Sequence, residues 1–198
     1  MCKKTLGEGE IMRLAVYSDI HNNDLKYPEQ KPDFVLLLGD IHWRDVKKIN
    51  EHFTKNYDRK IPCIGVIGNH DVLDTFKNTT VIDIHKRVIE IEGVKFGGFG
   101  GCLRYNNKQN SGQYEEWEAQ KFIKGMEKTD IFLAHSNPAY ERSENMDSTH
   151  RGFASFKQLL DYGKTSYFFH GHIHENYEHV YKEVKIFSTY GLKEYEIS

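Results

Sequence analysis

The sequence predicts a mixed α/β fold in one domain, with strand–helix units first and antiparallel strands joining in the middle and at the end. Two observations carry this. Five short apolar runs each lead to a polar residue with metal-binding chemistry, and amphipathic stretches fill several gaps between them. Short runs rich in branched and aromatic residues read as buried strands. Strands alternating with helices are the pattern of an α/β sheet.

The elements follow in chain order. Residues 14–17 (Leu-Ala-Val-Tyr) lead into Asp19, and 34–38 (Phe-Val-Leu-Leu-Leu) into Asp40. Residues 64–67 (Ile-Gly-Val-Ile) lead into Asn69, 131–134 (Ile-Phe-Leu-Ala) into His135, and 167–169 (Tyr-Phe-Phe) into His172 and His174. A helix is expected over 45–55, where Val46, Ile49 and Phe53 fall at helical spacing. A second is expected over 114–126, with Trp117, Phe122 and Ile123 as its apolar stripe, and a third over 153–162. Residues 88–91 and 94–99 flank Glu92-Gly93 and read as a hairpin. The tail alternates over 178–181, 184–188 and 192–197, giving three more strands.

Bulk properties narrow the class. A chain of 198 residues is by default one domain, and it can bury a core without disulfides. Hydrophobic residues at 38% and charged residues at 28% suit a soluble globular protein. A net charge of −2 gives no basic footprint, so extended nucleic acid is not the expected partner. An anionic substrate stays open, because bound metal ions add positive charge that the count omits. Cys2, Cys63 and Cys102 form no CxxC pair, which argues against a zinc ribbon or thioredoxin-like site. Their odd number, without a secretory signal, points to a reducing, cytoplasmic home. No apolar run approaches the roughly 18 residues of a membrane span.

The domain is expected to cover 12–198, with 1–11 as a polar extension. Met12 opens the first strand. The codons of Gly7-Glu8-Gly9-Glu10-Ile11 would be rich in G and A, like a bacterial ribosome-binding site read in frame. Two readings therefore stand side by side: natural translation from Met12, and a genuine short extension.

Ligands in open α/β sheets gather at the carboxyl ends of strands. The candidate donors there are Asp19, His21, Asp40, Asn69, His135, His172 and His174. Oxygen and imidazole donors without thiolate suit Mn, Fe, Zn, Ni or Mg rather than a structural zinc. Seven donors are too many for one ordinary site but suit two metals sharing a carboxylate, with Asp40 as the bridge. In Asp19-x-His21 and His172-x-His174 the paired side chains fall on one side of an extended segment. Gly39, Gly68 and Gly171 precede donors, where a missing side chain lets the backbone turn sharply. Each residue alone has a plainer reading, as turn former or helix cap. Only the full set argues for metal. His170 reads as packing, His42 as either substrate contact or surface, and His52, His85 and His179 as surface.

Taken in order, Asp19-x-His21, Gly39-Asp40, Gly68-Asn69-His70-Asp71, His135 and Gly171-His172-x-His174 resemble the calcineurin-like metallophosphoesterase family. The resemblance spans roughly residues 12 to 190. It implies a two-sheet α/β/β/α sandwich with a dinuclear site at one edge. By matching position, Asp19, His21 and His174 would hold the first metal, and Asn69, His135 and His172 the second. Asp40 would bridge them, and His70 corresponds to the catalytic histidine. Two divalent ions are implied, manganese favoured, with a small phosphate ester or nucleotide as substrate. Smaller bacterial and phage-like members often cleave phosphodiesters or nucleotides. Two cations roughly 3.5–4 Å apart would bind phosphate oxygens and generate a hydroxide near neutral pH, and His70 would protonate the leaving group.

The second motif departs from the family. It reads Gly39-Asp40-Ile41-His42-Trp43-Arg44, with Trp43 where an Asp often stands. In the phosphoprotein phosphatases that Asp orients the catalytic histidine, so a protein-phosphatase reading is weakened. Asp71 or a backbone carbonyl is the expected substitute. Substrate contacts are expected from Arg44, from Arg104, Tyr105 and Asn106 in one loop, and from His150 in another that also holds Tyr140, Arg142 and Arg151. A phosphomonoesterase, a nuclease and a non-catalytic scaffold are the alternatives. The small retromer subunit, which shares the fold, has lost the catalytic histidine that His70 keeps here.

Translation from Met12 is checked by the intact mass of protein made from its native locus, and a mass that includes residue 1 ends that reading.

Overall fold

The computed structural model describes residues 11–20, 24–107, 112–139 and 146–198. The proposed extension at 1–11 therefore lies almost wholly outside the described residues.

The first half of the chain builds one sheet. Strands β1 (Met12–Ser18), β2 (Phe34–Leu37), β3 (Cys63–Gly65) and β4 (Ile82–Asp83) run parallel, and helix α1 (Trp43–Lys55) connects β2 to β3. The second half builds another. Strands β5 (Arg87–Ile91) and β6 (Val94–Phe99) form the expected hairpin. Short strands β7 (Cys102–Leu103) and β8 (Gln113–Tyr114) pair with each other. Helix α2 (Glu116–Gly125), strand β9 (Ile131–Ala134), helix α3 (Ala154–Asp161) and strand β10 (Tyr167–His170) follow. Then come β11 (Tyr177–Tyr181), β12 (Val184–Ser188) and β13 (Gly191–Ile197). The sheet orders are β13-β1-β2-β3-β4 and β11-β12-β10-β9-β6-β5. The last strand crosses back to pair antiparallel with β1, so the chain's end locks its first strand.

Three apolar layers give the α/β/β/α sandwich. Leu14, Val16, Leu36 and Ile64 of the first sheet meet Phe96, Ile131, Leu133 and Phe169 of the second, between the sheets. Alternate residues on the first sheet's outer face, Ala15, Tyr17, Val35 and Leu37, pack on Val46, Ile49 and Phe53 of α1. Phe132 and Phe168 on the second sheet's outer face pack on Ile123 of α2 and on Phe156 and Leu159 of α3. Both faces of the central strands are thus buried, which is why they read as continuous apolar runs.

The helices carry their own punctuation. His42 caps α1, its Nδ1 accepting the Arg44 amide at 3.3 Å. Glu115 and Glu118 form a reciprocal capping box at the start of α2. The Glu116 carboxylate accepts the Ala154 and Ser155 amides, capping α3 from a neighbouring helix. The Lys164 ammonium donates to the carbonyls of Ile123, Lys124 and Met126 at the end of α2.

The expected stripe on α2 needs correction. Trp117 is 63% exposed, while Ala119, Ile123 and Met126 are buried and Phe122 partly so. Trp117 lies two residues before Ala119, about 200° round the helix, so it faces solvent. The strands β4, β7 and β8 were not expected, since two residues carry no periodicity. Among the described residues, no helix is long and apolar enough to cross a membrane.

Phe168 is fully buried, stacked on Phe132 with ring centroids 5.4 Å apart and touching Phe156 at 5.8 Å. Phe168→Ala is expected to lose about 3–5 kcal/mol of stability, read from denaturant midpoints; a loss below about 1 kcal/mol would contradict this packing.

Candidate metal centre

The parallel strands deliver their carboxyl ends to one edge, and six of the seven candidate donors meet there. Asp19 follows β1, Asp40 follows β2, Asn69 follows β3, His135 follows β9, and His172 and His174 follow β10. Donor atoms of Asp19, Asp40 and His135 all lie within 4.8 Å of one another, and all three residues are buried. Asn69 joins them, its Oδ1 3.0 Å from His135 Nε2. The His172 ring centroid is 4.8 Å from that of His135. His174 is half-exposed, with Nε2 3.3 Å from Asp19 Oδ1. His21 lies outside the described residues.

Backbone conformation turns these side chains inward. Asp19, Asp40, His172 and His174 all have positive φ, between 52° and 70°. Residues with a Cβ rarely adopt this region, and it costs of order 1 kcal/mol or more each. Such strain persists only where surrounding contacts over-determine it.

Those contacts are visible. Asp19 Oδ2 accepts the Ser18 hydroxyl at 2.6 Å and the His172 amide at 2.9 Å. Asp40 Oδ1 accepts the His70 amide at 2.8 Å, and Asp40 Oδ2 lies 3.4 Å from His135 Nε2. The Leu38 carbonyl accepts from His135 Nδ1 at 2.8 Å, which aims Nε2 into the cluster. The Thr149 carbonyl accepts from His172 Nε2 at 3.0 Å, leaving Nδ1 as that ring's donor atom.

Electrostatics follow from burial and crowding. Burial alone would raise the Asp40 carboxyl, but the His135 charge and hydrogen bonds outweigh it and hold it well below the usual carboxylate range. Burial would likewise lower the His135 imidazole, but Asp40 and Asp19 outweigh it and hold it up at about 9. Burial raises Asp19, and hydrogen bonding from His174 with the His135 charge brings it down overall. His172 is pushed down to about 3, first by burial and then by the His135 charge. A buried imidazole kept neutral offers a lone pair, as metal ligation needs.

The residues fit a divalent cation. Among the described residues, the buried Asp19 Oδ1 makes no well-formed hydrogen bond, its nearest donor being His174 Nε2 at 3.3 Å. Every donor is oxygen or imidazole nitrogen, the set that hard and borderline cations take. The glycines make room for this. A Cβ on Gly68 would sit 2.0 Å from Asp40 Oδ1, and one on Gly171 would sit 1.8 Å from Ser18 Oγ and 2.4 Å from Asp19 Oδ2. Neither has positive φ, so close approach rather than a sharp turn requires them; only Gly39, at φ 92°, serves the expected turn.

Asp71 is bonded to three backbone amides. Its Oδ2 accepts the amides of Asp40 and Gly68 and its Oδ1 that of Ile41, at 2.8–3.1 Å. It ties the loop after β2 to the loop after β3, and so positions Asp40 and Asn69. Burial pushes its carboxyl up to about 6. The His70 side chain is exposed at the mouth of the site.

The expected substrate contacts divide. Arg104 is engaged, its Nε 2.6 Å from Glu115 and its guanidinium donating to the Gln113 carbonyl, so it fixes a wall. Asn106 serves the same wall through Gln113 Nε2, which donates to its Oδ1 at 3.0 Å. The Tyr105 hydroxyl lies near the Asn69 side chain without a well-formed hydrogen bond to its Nδ2, and so borders the centre. The His150 ring lies 4.9 Å from that of His172, with Nδ1 2.9 Å from Asp147. Arg44 is exposed on α1, its guanidinium 5.2 Å over the Trp43 ring. Tyr140 and Arg142 lie outside the described residues. Gln113, Ser18 and Thr149 carried no signal in the sequence.

Other histidines settle into packing. His170 is buried, with Nε2 3.1 Å from the Tyr177 hydroxyl. His85 is not a plain surface residue: its Nδ1 accepts the Gly100 amide, its ring stacks on Tyr114, and burial pushes it down to about 4. His52 is half-buried and stacked 4.0 Å from the Tyr27 ring.

A two-sheet α/β sandwich that gathers carboxylates and imidazoles at one edge defines a metal-dependent hydrolase. Residues 12–176 match the calcineurin-like phosphoesterase family, and the chain belongs to it. The fold is shared with TT1561 of Thermus thermophilus, at 13% identity and TM-score 0.64, over 92% of this chain and 90% of that one. Phosphopantetheinyl hydrolase from Mycobacterium tuberculosis is similar at 11% identity and TM-score 0.59, over 90% and 89%. The calcineurin-like phosphoesterase YfkN from Bacillus subtilis is similar at 14% identity and TM-score 0.52, over 91% and 81%. No curated protein shows a significant match to the chain.

Gly171→Ala is expected to weaken manganese binding about 10–100-fold while far-ultraviolet circular dichroism stays native. Equal affinity in titration calorimetry would show that the backbone approach does not matter.

Proposed function

We propose that the chain hydrolyses phosphodiesters, with cyclic or short nucleotides as the substrate class. The carrying observation is the convergence of Asp19, Asp40, Asn69, His135, His172 and His174 on one sheet edge with His70 exposed beside them. Asp19, His174 and His21 would hold one divalent ion, Asn69, His135 and His172 a second, and Asp40 would bridge them, with manganese favoured. Such ions, when bound, supply positive charge for phosphate oxygens and activate a water near neutral pH.

The chain's own residues supply the rest. The His70 amide is tied to Asp40 Oδ1, so the backbone that carries the His70 ring is fixed beside that carboxylate. From there the ring would donate a proton to the leaving oxygen as that bond breaks. Asp71 keeps the two loops in register, so donor and acid stay aligned. Tyr105 and His150 flank the centre and would touch the ester's substituents. Buried, unpaired Cys63 and Cys102 suit a reducing compartment, and the cytoplasm is our reading of location.

His70→Ala is expected to keep metal affinity and to lose about 10²–10⁴-fold in turnover on alkyl esters, with a smaller loss on nitrophenyl esters, whose leaving group needs no proton. Equal losses on both would remove the acid role. Bis-nitrophenyl phosphate is expected to be cleaved faster than nitrophenyl phosphate, and the reverse order would make the enzyme a monoesterase.

A further inference from the structure

A cavity of about 450 Å³ opens beside the first-metal side of the centre. Asp24, Lys26, Asn176, Tyr190, Leu192 and Lys193 line it. Its size is within the range of small-molecule sites. It adjoins the donor set through one side chain: the Tyr190 ring centroid is 5.0 Å from that of His174, and His174 Nε2 is 3.3 Å from Asp19 Oδ1. A larger groove of about 680 Å³ runs beside Trp117 but shares no residue with the donor set.

The walls are built rather than loose. The Asn176 side-chain amide anchors the Tyr190 backbone, donating to its carbonyl at 3.2 Å and accepting its N–H at 2.9 Å. The buried Tyr17 donates its hydroxyl to the Lys26 carbonyl at 3.1 Å. The Glu194 carboxylate accepts the Glu29 and Gln30 amides, anchoring the segment after Lys26 to β13. Among the described residues, no carboxylate forms an ion pair with Lys26 or Lys193. An aromatic side chain on an anchored backbone, beside two lysines of this kind, suits a planar ring with an attached anion. Stacking accepts any base, because every base has a π-face, and ammonium groups hold phosphate as point charges.

We propose that this cavity binds a nucleotide unit beyond the scissile phosphate, its base stacked on Tyr190 and its own phosphate held by Lys26 and Lys193. The placement of the scissile bond rests on the hydrolase reading above; the binding of the nucleotide unit does not.

The test titrates adenosine 5′-monophosphate and adenosine into the metal-free protein by calorimetry. The wild type is expected to bind the monophosphate at millimolar concentration or tighter, and adenosine more weakly. Tyr190→Leu should weaken the monophosphate about tenfold, and Tyr190→Phe should restore it. Lys26→Ala with Lys193→Ala should abolish the preference over adenosine. In the metal-loaded enzyme, the same variants should lower the ratio of kcat/KM for 5′-phosphorylated diadenylate over bis-nitrophenyl phosphate. No binding of the monophosphate, or binding indifferent to all these variants, overturns the subsite even where esters are cleaved. Binding that responds to them, in a protein that cleaves no ester with any divalent metal, upholds the subsite and removes the hydrolase reading.

Discussion

Two buried carboxylates cannot sit side by side without positive charge or donors to hold them, and the site is organised around that constraint. Asp19 and Asp40 are both buried within one cluster. Their repulsion and lost hydration would be costly in an apolar interior. The chain answers with the amides of His70 and His172, the Ser18 hydroxyl and the His135 imidazole. Both His135 nitrogens face acceptors, the Leu38 carbonyl and the Asn69–Asp40 pair, which is why its proton is held tightly. Asp19, Asp40 and His135 would hold a divalent ion in place of that proton, which would link metal affinity to pH here.

The sandwich exists to bring these groups to one edge. Parallel strands share a direction, so β1, β2 and β3 in one sheet and β9 and β10 in the other all end near the same place. Beyond each end the ladder stops and the backbone is free to take unusual angles. Four donors use that freedom, with positive φ at Asp19, Asp40, His172 and His174. The strain they hold is balanced by the three buried layers beneath, where aromatic and branched side chains fix the strands. Stability in the layers thus permits strain at the edge.

Much of this was legible in the sequence, for reasons that can be named. The central strands are buried on both faces, so Phe34 to Leu37 and Ile131 to Ala134 appear as unbroken apolar runs. The donors stand directly after those runs, where oxygen and imidazole groups are chemically conspicuous. What escaped was long-range and backbone-directed. Asp71 bonds amides some 30 residues away, and Gln113 organises Tyr105 and Asn106 through their amides. Neither leaves a local pattern. The sequence shows the Arg104 guanidinium but not Glu115 folded against it. Trp117 looked like core because apolar character was weighed above its angle on the helix.

The same division separates chemistry from selectivity. The charged centre stands on strand ends, where two sheets hold it rigidly. The surrounding walls present rings: Tyr105 toward Asn69, His150 against His172, and Tyr190 against His174. Each ring's residue is anchored by a separate contact: Gln113 binds the Tyr105 backbone amide, Asp147 the His150 ring, and Asn176 the Tyr190 backbone. A change in one wall therefore need not disturb the others. Because those contacts are independent, the rings can be varied one by one beside donors whose placement the sheets have already fixed.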